Sequence, residues 1–128
     1  MRYLKDEELQ LASRFLFLSM AMIVIEQDIQ HIEKGDFKIK EPYLALLRKM
    51  SSLATNERKN LRKVMRDKSI QVVMLNKNDS FSSVLFLCQG REEQRNYFNP
   101  VIRKKVEKII YELIQTALGH DHYASADA

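Results

Sequence analysis

Residues 11–27 read LASRFLFLSMAMIVIEQ, the most apolar run in the chain. A membrane-spanning helix needs about 20 mostly apolar residues. The run from Leu9 to Ile25 is shorter and is interrupted by Ser13, Arg14 and Ser19. An arginine deep in a bilayer costs roughly 3 kcal/mol on insertion scales. A secretion signal starts basic and ends at a small-residue cleavage site. Here Asp6, Glu7 and Glu8 lead in, and no such site follows Ile25. Both readings give way to a helix inside a globular domain.

Asp6 is placed to cap that helix, Glu7 and Glu8 suit its positive end, and Gly35 is a natural stop. Between these limits Leu11, Phe15, Leu18, Met22, Ile25, Ile29 and Ile32 recur at steps of four and three, a continuous apolar seam. Nearly opposite, at 100° per residue, lies a shorter stripe of Leu9, Leu16, Met20 and Ile23. The first half of the helix is therefore apolar on two faces and the second half on one. A helix over Asp6–Lys34 is about 43 Å long, whereas a compact 128-residue globule is only ~36 Å across. Either the chain itself covers the second stripe or another subunit does. A homodimer through the first or last helix is the expectation, with Leu9, Leu16, Met20 and Ile23 as its interface.

Past Gly35, DFKIKEP alternates enough for a short strand or an extended connector, and Pro42 fits the first turn of a second helix. Leu46, Leu47, Met50, Leu53 and Ala54 mark its apolar face, continued by Leu61, Val64 and Met65. Between them ATNE reads either as helix interior or as a turn with Asn56 capping a new helix. Ile70–Leu75 and Val84–Cys88 change period and flank NKNDS, which is turn chemistry, so a β-hairpin is expected at about 70–88. GREEQRNYF, residues 90–98, reads as a polar loop or short helical turn. Asn99-Pro100 opens a third helix whose face is Val106, Ile109, Ile110, Leu113, Ile114 and Ala117. The expected class is mostly α (α+β): three long helices with one β-hairpin between the second and third. If the second helix breaks near Asn56, the order becomes that of a winged helix.

The length fits one domain over residues 1–119, with residues 120–128 as a flexible tail. One cysteine, Cys88, excludes an intrachain disulfide and fits a reducing, cytoplasmic setting. Three glycines and two prolines favour long regular elements.

The net charge of +4 concentrates in ERKNLRKVMRDK. Arg58, Arg62 and Arg66 stack at four-residue steps, with Lys59 and Lys63 beside them and Arg48 on the same side one segment earlier. Glu57 and Asp67 fall off that face, so the row lacks local acids. Like charges at this spacing weaken a lone helix, and a row of cations is what phosphate-backbone contact requires. A solvated helix face is the plainer alternative. Glu92 and Glu93 lack a matching ligand set, and Cys88 at the end of an apolar strand reads as a structural thiol. His120 and His122 in HDH fit a solvated tail better than a metal site, and His31 sits on the polar side of the first helix. No phosphate-cradling glycine loop, HExxH or nucleophile elbow is present. The expectation is a small non-enzymatic regulatory protein without catalytic residues, metal or cofactor. It would bind nucleic acid through Arg48, Arg58, Lys59, Arg62, Lys63 and Arg66. The competing class is a helical protein-interaction module with no nucleic-acid binding.

Overall fold

The computed structural model describes residues 3–119. The tail at 120–128, with His120 and His122, lies outside the described residues. The fold is mostly α (α+β). Helix α1 spans Asp6–Lys34, α2 Glu41–Asp67 and α3 Asn99–Ala117. Between α2 and α3, strands β1 (Ile70–Lys77), β2 (Phe81–Cys88) and β3 (Arg91–Phe98) form an antiparallel meander in the order β1-β2-β3.

Helix α1 is the axis of the molecule. Its partners on α2 lie earlier in the chain as α1 advances: Arg14 and Ser19 meet the neighbours Glu57 and Arg58, Glu26 meets Ser51 and Glu33 meets Arg48. The two helices are thus antiparallel. Helix α3 is antiparallel to α1 as well, with Glu112 on Arg14 and Lys105 over Phe17. The sheet lies along the N-terminal half of α1, joined through Arg91 to Glu8 and through Tyr97 to Phe17, whose rings meet edge-on at 5.4 Å. Toward its C-terminus α1 keeps α2 as its neighbour, through Glu26–Ser51 and Glu33–Arg48. This explains the two apolar faces narrowing to one. Ala12, Leu16, Phe17, Leu18 and Ala21 are all buried in the first half, and Ile25 and Ile29 on a single face in the second. By length and composition alone α1 could cross a membrane, but here it is the core helix of the fold.

Leu16 is only 7% exposed, so the chain itself covers it and it offers nothing to a second subunit. Leu9 and Met20 are half-buried, and Ile23 is 59% exposed. The predicted interface stripe is therefore closed by the fold as far as Leu16 and left open near Ile23.

Helix α2 is continuous through Ala54–Glu57. The break near Asn56 on which a winged helix depended does not occur. Ala54 is fully buried, and Leu53 and Leu61 stay in phase on either side of it. With no glycine or proline in ATNE, nothing interrupts the apolar face.

The single hairpin is also corrected, because GREEQRNYF supplies a third strand. Gln89 and Gly90 both take positive φ, 50° and 81°, which fits the two-residue hairpin turn whose twist matches that of the strands. Along β2, Ser82, Val84, Phe86 and Cys88 face inward and are buried, while Ser83, Leu85 and Leu87 face outward. Strand β3 is an edge and needs one apolar anchor, Tyr97. Its other inward positions, Arg91, Glu93 and Arg95, lie opposite Cys88, Phe86 and Val84. The NKNDS turn forms as its chemistry dictates. The Asn78 side-chain oxygen accepts from the Ser80 and Phe81 amides at 2.8 and 2.7 Å.

Helix ends depart from expectation in detail. Lys5 and Phe98 occupy the positions preceding α1 and α3. Asn99 does not cap α3. Its amide group instead donates to the Asn78 carbonyl at 2.9 Å, and its oxygen accepts from the Ser82 hydroxyl at 2.8 Å, tying α3 to the hairpin. At Gly35 a Cβ would sit 2.9 Å from the His31 carbonyl oxygen and 2.9 Å from the Phe37 ring, so a close approach selects glycine there.

Two ion clusters fasten the layers. The Arg14 guanidinium donates to both Glu57 oxygens at 2.6 and 3.0 Å and to Glu112 at 2.7 Å, clamping all three helices. The same arginine that argued against a bilayer is thus the helix-bundle tie. All three side chains are roughly a third exposed or more, so screening moderates the gain. Arg14→Met is expected to cost about 1–2 kcal/mol in urea unfolding, below the cost of breaking a fully buried pair. Adding Glu57→Gln should recover part of that loss by removing one of two carboxylates left facing each other.

The second cluster is Glu8 with Arg91, paired through both oxygens at 2.6 and 2.9 Å, with Glu8 also accepting the Lys5 amide at 2.8 Å. The Arg91 hydrogen bonds hold the Glu8 carboxyl down at about 2, from an ordinary 4.5, against the opposing effect of burial. Since the folded value is depressed, the stabilisation is present above pH ~4.5 and is lost as pH falls toward 2. Acid titration of stability should therefore be steeper between pH 5 and 2 for the wild type than for Glu8→Gln. Parallel curves would show that the pair carries no such linkage.

Candidate functional site

The solvent side of α2 follows from its register. With Met50, Ala54, Leu61 and Met65 turned inward, Lys59, Arg62, Lys63 and Arg66 fall on the outside and are exposed. None of these four makes an ion pair among the described residues. They form a cationic row across two turns.

The other two members of the predicted set are engaged elsewhere. Arg58 Nε donates to the Ser19 hydroxyl at 2.7 Å, and its guanidinium lies 4.6 Å from the centre of the Phe15 ring. It seals the α1–α2 seam, where cation–π attraction and packing of its stem both contribute. Arg48 pairs with Glu33 at 2.9 Å and approaches Glu41 at 3.8 Å. It is fourteen residues from Arg62, about 21 Å along the helix, and is balanced by acids. Sequence spacing brought Arg48 and Arg58 into the row because it registers direction around one helix, not what the neighbouring helix presents.

The second feature is a groove between α1 and α3, closed at one end by the tips of β1 and β2. Its volume is about 890 Å³. Met20, Ile23 and Val24 of α1 face Ile102, Val106 and Ile110 of α3 across it. Half-buried Met20 and exposed Ile23, the C-terminal members of the predicted interface stripe, thus line a concave surface. Periodicity could mark Ile23 as uncovered, but the opposing wall belongs to another helix far away in sequence.

The chemistry-bearing side chains lie apart from one another. Cys88 is fully buried, and burial pushes its thiol up, with Glu8 adding to the effect; it is held as a thiol rather than as the thiolate a nucleophile requires. Glu93 pairs with Arg95 at 2.6 Å, and Glu92 is exposed on the outer sheet face. His31 is exposed near Tyr43. Among the described residues no group of three or more His, Cys, Asp or Glu side chains could hold a metal ion.

A helical hairpin, a three-stranded meander and a third helix laid back across the first define a small α+β domain with a basic helix face and an apolar groove. The chain belongs to the YhjD protein family, whose model matches residues 3–118. It is similar to "Uncharacterized protein YhjD" of Bacillus subtilis (strain 168), 32% identical over 107 residues, covering 84% of this chain and 89% of that protein. No solved structure matches.

Proposed function

We propose that this chain is a non-enzymatic cytoplasmic protein that binds nucleic acid by phosphate contacts from Lys59, Arg62, Lys63 and Arg66. The observation that supports this reading is the contrast within one row. Arg48 and Arg58 have partners in the fold, while these four exposed cations have no ion pair among the described residues. An anionic partner relieves the repulsion between Arg62 and Arg66 at four-residue spacing. Helix α2 is one uninterrupted rod packed along α1, without the turn that presents a recognition helix to the major groove. Contacts of this kind position a protein on a backbone and carry little sequence information.

The test is fluorescence anisotropy of labelled duplex and single-stranded oligonucleotides with the full chain at low salt. Binding to either, with little preference among sequences, is expected. Absence of affinity for both at about 50 mM salt removes the reading. Docking of a partner protein along the second stripe of α1 is the less favoured alternative, because Leu16 is already covered.

A further inference from the structure

The groove carries two cations at one end and is mostly apolar along the rest, and a local irregularity of β1 supplies one of those cations. In a regular strand, residues 74 and 77 point to opposite faces. Here the register shifts between Met74 and Asn76, so that Met74 lies opposite Val84 and Lys77 opposite Ser82, two inward-facing positions of β2. The bulge at Leu75 therefore turns Lys77 to the same side as Met74, and both line the groove. Bulges commonly re-aim a side chain in this way. On α3, Arg103 lies one turn beyond Asn99 on the rim of the same end. Neither Lys77 nor Arg103 makes an ion pair among the described residues. Glu107 also lines the groove, and its carboxylate lies 3.8 Å from the Lys104 ammonium, which offsets its charge. Away from this end the lining is mostly apolar, with Met20, Ile23, Val24, Ile110 and Ile114, and Tyr111 adds an exposed phenol. From Ile102 to Ile114 the α3 wall runs about 18 Å, the shape for an extended chain rather than a compact ring system.

We propose that this groove binds a single-chain anionic amphiphile, a long-chain fatty carboxylate, with its carboxylate at Lys77 and Arg103 and its alkyl chain along Met20, Val24, Ile110 and Ile114. Its volume lies in the range of small-molecule sites, which are mostly apolar with a few placed polar groups. Two cations without ion-pair partners at one end select a negative headgroup, and the apolar length selects a chain. The site is separate from the basic face of α2, so it stands or falls independently of nucleic-acid binding.

The experiment is calorimetric titration of the full chain with myristate below its micelle concentration, alongside methyl myristate, decanoate and dodecyltrimethylammonium. Saturable one-to-one binding of myristate is expected. The ester and the cation should bind at least tenfold more weakly, and each two-carbon shortening should weaken binding roughly tenfold. Lys77→Glu with Arg103→Glu, both exposed and checked for folding by circular dichroism, should lose at least tenfold for myristate. Failure of myristate to bind overturns the proposal, as does equal binding of acid and ester or an unchanged affinity in the double variant. Sedimentation gives a further decision. A dimer that Ile23→Glu dissolves, in a protein that does not take up myristate, would assign the groove to a second copy instead.

Discussion

Phe86→Ala is expected to lower the melting temperature by about 10–20 °C, the largest loss from any single truncation in the sheet. Phe86 is fully buried, sits on the central strand, and is flanked by Val72 on β1 and Glu93 on β3. Its ring fills the space between the inner face of the sheet and the helical layer. Emptying a site of that size costs about 3–5 kcal/mol, and each kcal/mol moves the midpoint of a domain of this length by roughly 3–5 °C. Phe81→Ala provides the control. Phe81 is about half exposed and pairs with Phe98 at 5.4 Å, so its loss should cost well under half as much. Equal effects of the two substitutions would mean that the inward face of β2 is not core.

The largest functional effect is expected from Arg62→Glu combined with Arg66→Glu. Under counterion release, each neutralised phosphate contributes about one decade of affinity for duplex at 50 mM salt. Losing two contacts therefore weakens binding roughly a hundredfold, and the reversed charges add repulsion. The unfolding midpoint should stay level or rise slightly, because the pair sits on the solvent side of α2 and the substitutions relieve its crowding with Arg58. Loss of binding together with loss of the fold would not support the assignment. Arg48→Glu should leave binding nearly intact, since Arg48 already carries Glu33 and lies at the far end of the helix.

The helices were legible because their signals are local. The apolar seam of α1 and the face of α3 follow from spacing of 3.6 residues, the stop of α1 follows from Gly35, and the structure places them accordingly. The second stripe of α1 runs on to Ile23, whereas the fold covers it only as far as Leu16, so its length overstates the covering layer. Strand β3 was hidden for a physical reason. As an edge strand with one side in water, it carries Arg91, Glu93 and Arg95 on its inward positions and lacks the apolar alternation that marks a strand. The available signal was Gln89-Gly90, a two-residue turn directly after a strong strand. The continuity of α2 was ambiguous because Asn56 can cap a helix or sit on its solvent face, and only the burial of Ala54 beneath it decides. At the candidate site the direction of the cations was readable from their register. Their availability was not, because Ser19, Phe15 and Glu33, which engage Arg58 and Arg48, lie on another helix.

The proposed nucleic-acid contact requires four exposed cations acting together on a polyanion. The dependence of duplex affinity on salt between 50 and 200 mM tests this most directly. Four phosphate contacts predict a slope of log K against log salt of about −3.6, a loss of roughly a hundredfold across that range. In the Arg62→Glu, Arg66→Glu variant the slope should fall by about two. A slope near zero, or the same slope in both proteins, would contradict the assignment of this face.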